Sequence, residues 1–353
     1  MAEPTPSIDD WGCPIPIDHR DRIVMGHGGG GRMTARLLDE VFLPAFDDPL
    51  LAQAGDATVV DVGSERLAIT TDAFVVQPLE FPGGDIGSLA VHGTVNDLTC
   101  VGAEPLYLTA AFVIEEGTEV AVLRRTAASM AAAAAESGVR VVAGDTKVVE
   151  RGRGDGLHIT TTGVGRLRRG VEVGPRRAVS GDALLLSGSI GHHGVAVMTA
   201  RHGLGLSSRI VSDSAPVHSI ARALFDAEVD VHTMRDPTRG GVAAALNEIA
   251  AVAGVGMVVD EVAVPVVDEV RSACALLGLD PLQVANEGRL LVIVAEADAA
   301  RALDAMRSTA VGSGAVRIGR VTADHPGLVV GRTAFGGERI IDLPVGELLP
   351  RIC

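Results

Sequence analysis

The chain has 353 residues, with 30 Lys and Arg against 45 Asp and Glu, which gives a formal net charge of -15. Hydrophobic residues make up 47% and aromatic residues 3%, a composition typical of a globular protein with about two domains. The negative charge disfavours binding to nucleic acid or to an anionic membrane surface, because both repel it.

The apolar runs are shorter than the roughly 18 residues that a membrane span requires, and the first thirty residues lack the pattern of a signal peptide. The four cysteines are far apart and form no CxxC pair, so neither a structural zinc site nor a disulfide framework is indicated. We therefore expect a cytoplasmic protein.

The first half of the chain begins with a proline-bearing arm, residues 1–22, followed by the glycine loop Gly28 to Gly31. Apolar residues then recur at helical spacing. Strand-like runs and helical stretches follow in the order β-β-α-β-α-β-β, with the strands ATVVDVG, RLAITTDAFVV, LYLTAAFVI, VRVVAGDTKVV and LHITTTGVGRL. This order predicts an α+β layer with helices on one face of the sheet.

An Arg- and Gly-rich segment, residues 166–182, marks the predicted domain boundary. The second half has the strand-like runs ALLLSGSIG, GMVVDE and RLLVIVA and the helical stretches DPTRGGVAAALNEIAAVAG and VVDEVRSACALLGL. From Phe335 the chain forms a tail with a strand-like IIDL. We predict an arm over 1–22, an N-terminal domain over 23–168, a C-terminal domain over 169–334 and a tail over 335–353.

Several aspartates lie beside glycines or at strand ends, where carboxylates can converge on one site. They are Asp72, Asp85, Asp97, Asp145 and Asp236. Magnesium prefers such oxygen ligands and is bound together with substrate phosphates. Turn and helix N-cap roles explain any one of them equally well.

Two glycine-rich segments, HGGGG (27–31) and TRGG (238–241), can present backbone amides to phosphate. Neither is a Walker A loop, and a flexible linker is the alternative for HGGGG.

Three further residues stand out. Lys147 is the only lysine of the chain, and a compact ammonium can neutralise a developing phosphate charge. Glu287 precedes a predicted buried strand and is a candidate base, with an ordinary turn carboxylate as the alternative. Cys353 is the last residue; a tail running from Asp342 extends up to roughly 35 Å, so its thiol can carry a group between sites.

In this order, GHGGGG, TTDAFVV, FPGGDIG, GTVNDL, GDTKVV, DPTRGG, ANEG and the terminal LPRIC resemble the HypE family of hydrogenase maturation proteins, from about residue 22 to the end. The middle motifs are similar to a wider superfamily that includes aminoimidazole ribonucleotide synthetase, selenophosphate synthetase and thiamine-monophosphate kinase. The resemblance implies two α+β domains of the aminoimidazole ribonucleotide synthetase type, an N-terminal domain that forms a dimeric β-barrel, and a flexible tail.

The resemblance also implies a reaction. A HypF-type carbamoyltransferase would load a carbamoyl group onto Cys353, and ATP with Mg²⁺ would drive its dehydration to a thiocyanate. The cyano group would then pass to iron on a HypC–HypD complex for [NiFe]-hydrogenase. The alternative is a small-molecule kinase or synthetase of the same superfamily, which would not use a terminal cysteine.

Site roles follow from the same resemblance. The implied metal ligands are Asp72, Asp97, Asp145 and Asp236. The implied catalytic residues are Cys353, Glu287 and Lys147. The implied ATP-binding residues are Gly28, Gly29, Gly30, Gly31, Asn96, Thr146, Arg239, Gly240 and Gly241.

Overall fold

The computed structural model describes residues 22–53, 55–202, 210–344, 346, 349 and 351–353. The predicted arm thus lies outside the described residues, apart from residue 22. Nine α-helices are present in the described ranges: α1 Arg32–Leu37, α2 Leu43–Phe46, α3 Ile86–Cys100, α4 Val120–Ser137, α5 His192–His202, α6 His218–Asp226, α7 Gly241–Ala253, α8 Asp268–Leu277 and α9 Ala299–Arg307. A π-helical turn, Leu38–Phe42, joins α1 to α2.

The same ranges contain fourteen strands: β1 Thr58–Val62, β2 Glu65–Phe74, β3 Glu80–Phe81, β4 Gly84–Asp85, β5 Ala103–Glu115, β6 Arg140–Val149, β7 Leu157–Leu167, β8 Ala183–Leu186, β9 Val231–Arg235, β10 Gly256–Asp260, β11 Leu291–Val294, β12 Val316–Thr322, β13 Val329–Arg332 and β14 Glu338–Ile340. The predicted β-β-α-β-α-β-β order of the first half is confirmed, with the short β3–β4 hairpin added before α3.

The first sheet has five strands in the order β1-β2-β7-β5-β6, and only the β5–β6 pair is parallel. Alternate residues of β7, from Leu157 to Leu167, are buried, because this face of the sheet packs against α3. The sheet is open in one chain, with β1 and β6 at its edges. Closure into the predicted barrel therefore requires a second copy.

The second sheet has seven strands in the order β14-β13-β10-β12-β8-β11-β9. All four residues of β8 and of β11 are buried. On β8, Leu184 faces the core cluster that includes α7, and Leu185 faces the cluster that includes α6 and α9. This sheet is covered on both faces, which the uninterrupted apolar runs ALLL and LVIV require.

Helix α3 joins the two halves of the molecule, since thirteen of its residues are buried. It packs on the first sheet and also contacts α6 and β9. Its N-terminus is fixed by a capping box in which the Asp85 carboxylate accepts hydrogen bonds from the backbone amides of Gly87 (2.8 Å) and Ser88 (2.9 Å). Helix α3 therefore sets the position of its own side chains relative to both domains.

The predicted tail begins with structure rather than as a free chain. Strand β14 pairs with β13 at the edge of the second sheet, and Leu349, Ile352 and Cys353 are buried in a core cluster that contains residues of both halves. No α-helix of the described residues has the length and the apolar character needed to span a membrane.

Candidate active site

Four carboxyl groups converge where α3 meets the second domain. Asp97 lies on α3, Asp72 on β2 and Asp236 just after β9, and Asp56 precedes β1. The Thr70 hydroxyl donates to Asp97 Oδ2 (2.8 Å). One ligand atom from each of Asp56, Cys100 and Asp236 lies within 4.8 Å of the others. The charges of Asp72 and Asp236 act on Asp97, and that of Asp72 acts on Asp236, so the structure brings these three predicted residues together.

Burial and mutual repulsion raise the pKa values of these carboxyl groups. Burial raises the pKa of Asp56 to about 7 and that of Asp236 to about 6, with Arg235 opposing both shifts. The pKa of Asp97 lies well above its ordinary value because of burial and the adjacent charges of Asp72, Asp236 and Asp56. Such a cluster stores unfavourable negative charge, which a divalent cation would neutralise.

The space bounded by Asp72, Asp236, Arg239 and Cys353 is called the cleft below. Glu287 lies beside these residues and is 2% exposed. Its backbone amide donates to Asp213 Oδ1 (3.2 Å). Its side-chain Oε1 is buried and has no hydrogen-bond partner among the described residues. Burial, and then the charges of Asp236 and Asp213, raise its pKa well above the ordinary value. A carboxyl group with a free oxygen and a raised pKa is suited to accept a proton.

Asn96 is held by backbone contacts in the second domain. Its amide nitrogen donates to the backbone carbonyls of Ala215 (3.1 Å) and Glu287 (3.2 Å), and its oxygen accepts from the amide of Val217 (2.9 Å). These bonds use both ends of a fully buried amide, so Asn96 ties helix α3 to the backbone of Glu287.

The C-terminal residue is docked in this cleft. Cys353 is 9% exposed, and Arg239 Nη1 donates to its Sγ at 3.4 Å. Burial raises the pKa of the Cys353 thiol, Glu287 and Asp72 add to the shift, and Arg239 opposes it. The docked cysteine is therefore a protonated thiol held beside the candidate base.

The predicted glycine loop closes over this docked tail. A Cβ at Gly31 would lie 2.2 Å from the carbonyl oxygen of Pro344, and a Cβ at Gly30 would lie 3.1 Å from Arg239 Cβ. The amide of Arg32 donates to Pro344 (3.0 Å). A small pocket beside them is lined by Gly29, Arg239, Gly240 and residues of the tail.

The TRGG segment forms the turn into α7. Gly240 and Gly241 have φ values of 74° and 63°, a region that favours glycine. A Cβ at Gly241 would lie 2.5 Å from the carbonyl oxygen of Leu282. These glycines place the N-terminus of the 13-residue helix α7 next to Arg239. Gly28, by contrast, is in open space.

Asp145, Thr146 and Lys147 do not join this site within one chain. They lie on the edge strand β6, which is exposed along its first nine residues. The side chains of Lys147 and Asp145 are 71% and 63% exposed and form an ion pair of 3.0 Å. The prediction that Asp145 converges with the other aspartates is corrected for the single chain, because two strands of the sheet separate it from Asp72.

Sequence reasoning missed several residues that build the site. Asp56 belongs to the carboxylate cluster, and Arg235 forms an ion pair with it (2.9 Å). Asp213 anchors Glu287 and forms an ion pair with Arg289 (3.2 Å). The context AGDAT around Asp56 resembles AGDTK around Asp145 and was the one available signal. Asp213 has no comparable pattern.

Comparisons with known proteins agree with the family resemblance found in the sequence. The family described as AIR synthase related protein matches residues 54–167 with its N-terminal domain and 179–331 with its C-terminal domain. Carbamoyl dehydratase HypE of Cupriavidus necator is 53% identical over 333 residues, 94% of this chain and 95% of the relative. The protein of that name from Escherichia coli is 41% identical over 338 residues, 94% of this chain and 100% of the relative.

The chain belongs to the HypE family. Among solved structures, a HypE–HypF complex matches with a TM-score of 0.83 at 47% identity, covering 87% of this chain and 99% of that one. HypE in complex with ATP matches with a TM-score of 0.79 at 45% identity, covering 94% and 100%. The predicted role in hydrogenase maturation and the predicted class of ATP-dependent dehydratase are confirmed.

Thiamine monophosphate kinase from Aquifex aeolicus is 18% identical with a TM-score of 0.62, covering 82% of this chain and 95% of that one. This likeness shows a shared fold alone. The alternative of a small-molecule kinase is therefore not favoured.

Proposed function

We propose that this chain uses ATP to dehydrate a carbamoyl group carried on its own Cys353 to a thiocyanate. One observation carries the proposal: the terminal thiol lies 3.4 Å from Arg239, in the same buried cleft as the free oxygen of Glu287 and the carboxylate cluster. A small-molecule kinase needs no such thiol. The solved HypE–ATP complex supports ATP as the second substrate.

We propose Asp56, Asp72, Asp97 and Asp236 as the residues that hold Mg²⁺ with ATP. Hard carboxylate oxygens suit this ion. Burial raises the pKa values of all four groups, and neighbouring carboxylates add to the shifts of Asp56, Asp97 and Asp236. When bound, the ion would neutralise phosphate charge. The amides around Gly240 and Gly241, the Arg239 guanidinium and the glycine loop over Gly28 to Gly31 would contact the phosphates.

Side chains of this protein then carry out the dehydration of the carbamoyl group. An amide oxygen is a poor leaving group, so the carbamoyl oxygen attacks the γ-phosphorus of ATP and ADP leaves. The carbamoyl group has two N–H protons: Glu287 accepts one, and the other leaves on the departing phosphate as the C–O bond breaks. The products are R–S–C≡N, ADP and phosphate. Arg239 already touches the sulfur and is placed to hold the thiocarbamate during these steps.

Loading requires the tail to leave the cleft, because the docked thiol is buried and protonated and the thiolate is the reactive form. We propose a HypF-type carbamoyltransferase as the donor, supported by the solved HypE–HypF complex, and a HypC–HypD complex as the acceptor of the cyano group. The described cysteines Cys100, Cys274 and Cys353 are free thiols, which fits the cytoplasm that we propose as the location.

We further propose a homodimer in which the first sheets of two copies pair into a barrel. The sheet face turned away from α3 exposes Ile69 and Tyr107, and the edge strand β6 exposes Val141 and Val148. In one chain, the cross-strand row that starts at Asp72 on β2 ends at Gly144 on β6, next to Asp145. Three strand spacings, roughly 14 Å, separate the two ends of this row. We therefore propose that Asp145, Thr146 and Lys147 complete the site of the partner copy.

The decisive measurement is the mass of the C-terminal peptide released by cleavage before Asp342. The protein is incubated with a HypF-type transferase and carbamoyl phosphate, with and without ATP, and the Cys353→Ser variant serves as the control. The proposal requires gain of one carbamoyl group without ATP and loss of one water when ATP is added. A peptide that stays carbamoylated with ATP, beside an active homologue run in parallel, would refute it.

A further inference from the structure

Helix α5 contacts the docked tail through the backbone of the tail. The ring nitrogen Nε2 of His193 lies 2.8 Å from the carbonyl oxygen of Ile352. Arg201 Nη2 donates to the carbonyl oxygen of Arg351 at 2.6 Å, which also accepts from the amide of Gln77 (3.2 Å). Two successive carbonyls immediately before Cys353 are therefore held from one helix.

The surroundings of His193 define its hydrogen-bonding state. The Ser212 hydroxyl oxygen accepts from the amide of Ser214 (3.0 Å) and lies 2.8 Å from His193 Nδ1. The hydroxyl hydrogen is thus left for Nδ1, which makes Nε2 the N–H that donates to Ile352. Burial lowers the pKa of His193 and favours this neutral ring. Phe81 packs against the ring edge-on, with centroids 5.3 Å apart.

We propose that His193 is a positioning residue for the carrier cysteine: its bond to the Ile352 carbonyl holds the tail docked and fixes where the Cys353 sulfur lies against Arg239. The residue acts through Ile352 and does not touch the reacting atoms. This role deepens the proposed function and rests on it for its catalytic consequence.

Recognition through backbone carbonyls has a specific consequence. A carbonyl contact is the same whether the thiol is free, carbamoylated or converted to thiocyanate. The His193 bond can therefore return each form of the tail to the same depth in the cleft, while the side chain of Cys353 changes. A contact to the sulfur alone would not do this.

The first test measures how fast Cys353 reacts with iodoacetamide, read from the mass of peptide 342–353, without ATP or any partner. His193→Asn keeps a polar side chain but does not reach Ile352, whereas His193→Gln places an amide N–H near the position of Nε2. Loss of one buried hydrogen bond predicts alkylation about tenfold faster for His193→Asn. For His193→Gln the rate is expected to stay within about twofold of the natural protein.

Arg201→Met supplies a second variant at a less buried position and is also expected to speed alkylation. His192→Asn, at the adjacent histidine, whose ring interacts with the Ser189 backbone, is the matched control and is expected to leave the rate unchanged. Natural rates in both His193→Asn and Arg201→Met would overturn the proposal. So would equal acceleration by His193→Gln and His193→Asn, since packing rather than the hydrogen bond would then control docking.

The second test uses protein already carbamoylated on Cys353 and measures one turnover with ATP. We expect His193→Asn to slow dehydration at saturating ATP without changing the apparent KM for ATP, and His193→Gln to recover most of the rate. Because alkylation needs no carbamoyl chemistry, its result stands even if the natural protein fails to dehydrate. An unchanged turnover rate in a variant with faster alkylation would remove the catalytic part of the proposal.

Discussion

At the scale of single residues, the proposed role of Glu287 as the general base can be tested directly. We predict that Glu287→Gln lowers the single-turnover dehydration rate by about 10² to 10⁴, the usual contribution of a general base, while ATP binding persists. Because burial raises the pKa of Glu287, the natural rate should rise with pH as the carboxyl group loses its proton. The variant should lose that dependence.

Rapid-quench measurements of thiocyanate formation from pH 6 to pH 9 give the rate of each protein and the pH dependence of that rate. Glu269→Gln, a change to an exposed glutamate on α8, is the control for the substitution itself. A Glu287→Gln variant that keeps the natural rate and pH profile would show that another group accepts the proton.

The carboxylate cluster makes a prediction about stability. The folded-state pKa values of Asp56 and Asp236, about 7 and about 6, exceed the ordinary 3.8, so the folded chain holds protons that the unfolded chain releases. Without Mg²⁺, these groups should lower the free energy of unfolding as pH rises from about 4 to 7. Added Mg²⁺ should then raise Tm more at pH 8 than at pH 5, where protons compete with it.

Thermal unfolding with and without Mg²⁺, at pH 5 and at pH 8, measures the rise in Tm that Mg²⁺ causes at each pH. Asp97→Asn removes one charge while keeping an acceptor for the Thr70 hydroxyl. The variant is expected to have a higher Tm than the natural protein in metal-free buffer at pH 8 and a smaller response to Mg²⁺. An Mg²⁺ shift that is equal at both pH values would contradict the cluster as the binding site.

Motifs and the family resemblance predicted part of the site. Asp72, Asp97 and Asp236 were predicted as aspartates in glycine-bearing or strand-end motifs, Arg239 from the TRGG segment, and Glu287 from its place before a strand. The contacts that hold Glu287 were not predicted, because Asn96 and Asp213 bond to its backbone from 191 and 74 residues away along the chain. Nothing in local sequence encodes such a contact.

At the scale of elements, helix α3 links the cap at Asp85 to the site at Asp97. The Asp85 carboxylate accepts from two backbone amides of the first turn, so Asp85→Ala should lower the free energy of unfolding by about 1 kcal/mol. Asp85→Asn, which keeps a capping oxygen, should lose only a few tenths of a kcal/mol and retain activity. Urea unfolding and turnover of both variants decide between a cap and a metal ligand, since Asp85→Asn would inactivate a ligand.

Helices and strands with a strong local sequence pattern were predictable. Segments whose position depends on contacts with distant parts of the chain were not. The alternation along LHITTTGVGRL and the glycine ends of the helices are local signals, and the strands and helices they predict are present. The tail lacks such a pattern after IIDL. Its docking depends on Arg239, His193 and Arg201, which come from elements far away in sequence, so the sequence alone predicted only its reach.

At the scale of the whole molecule, the site of each chain is incomplete by itself, and the proposed dimer completes both sites. Lys147 has an exposed side chain on the edge strand β6, whereas Glu287 is buried in the cleft. If Lys147 serves the partner's cleft, Lys147→Ala and Glu287→Gln damage the same site from different chains. A mixed dimer of the two variants then holds one cleft with both natural residues and one with neither.

We predict that each variant alone is nearly inactive and that an equal mixture, after subunit exchange, recovers about a quarter of the natural rate. Random pairing makes half of the dimers mixed, and each mixed dimer has one working site of two. Val148 is 68% exposed on β6, and adding Val148→Asp to both chains should dissociate the dimer and abolish the recovery. The control is Val262→Asp in the second domain, at a residue that is 67% exposed, and it should leave the recovery unchanged. Sedimentation velocity alongside the rate measurement tests both steps. Recovery that never exceeds the sum of the separate variants would place Lys147 in the cleft of its own chain or outside the reaction.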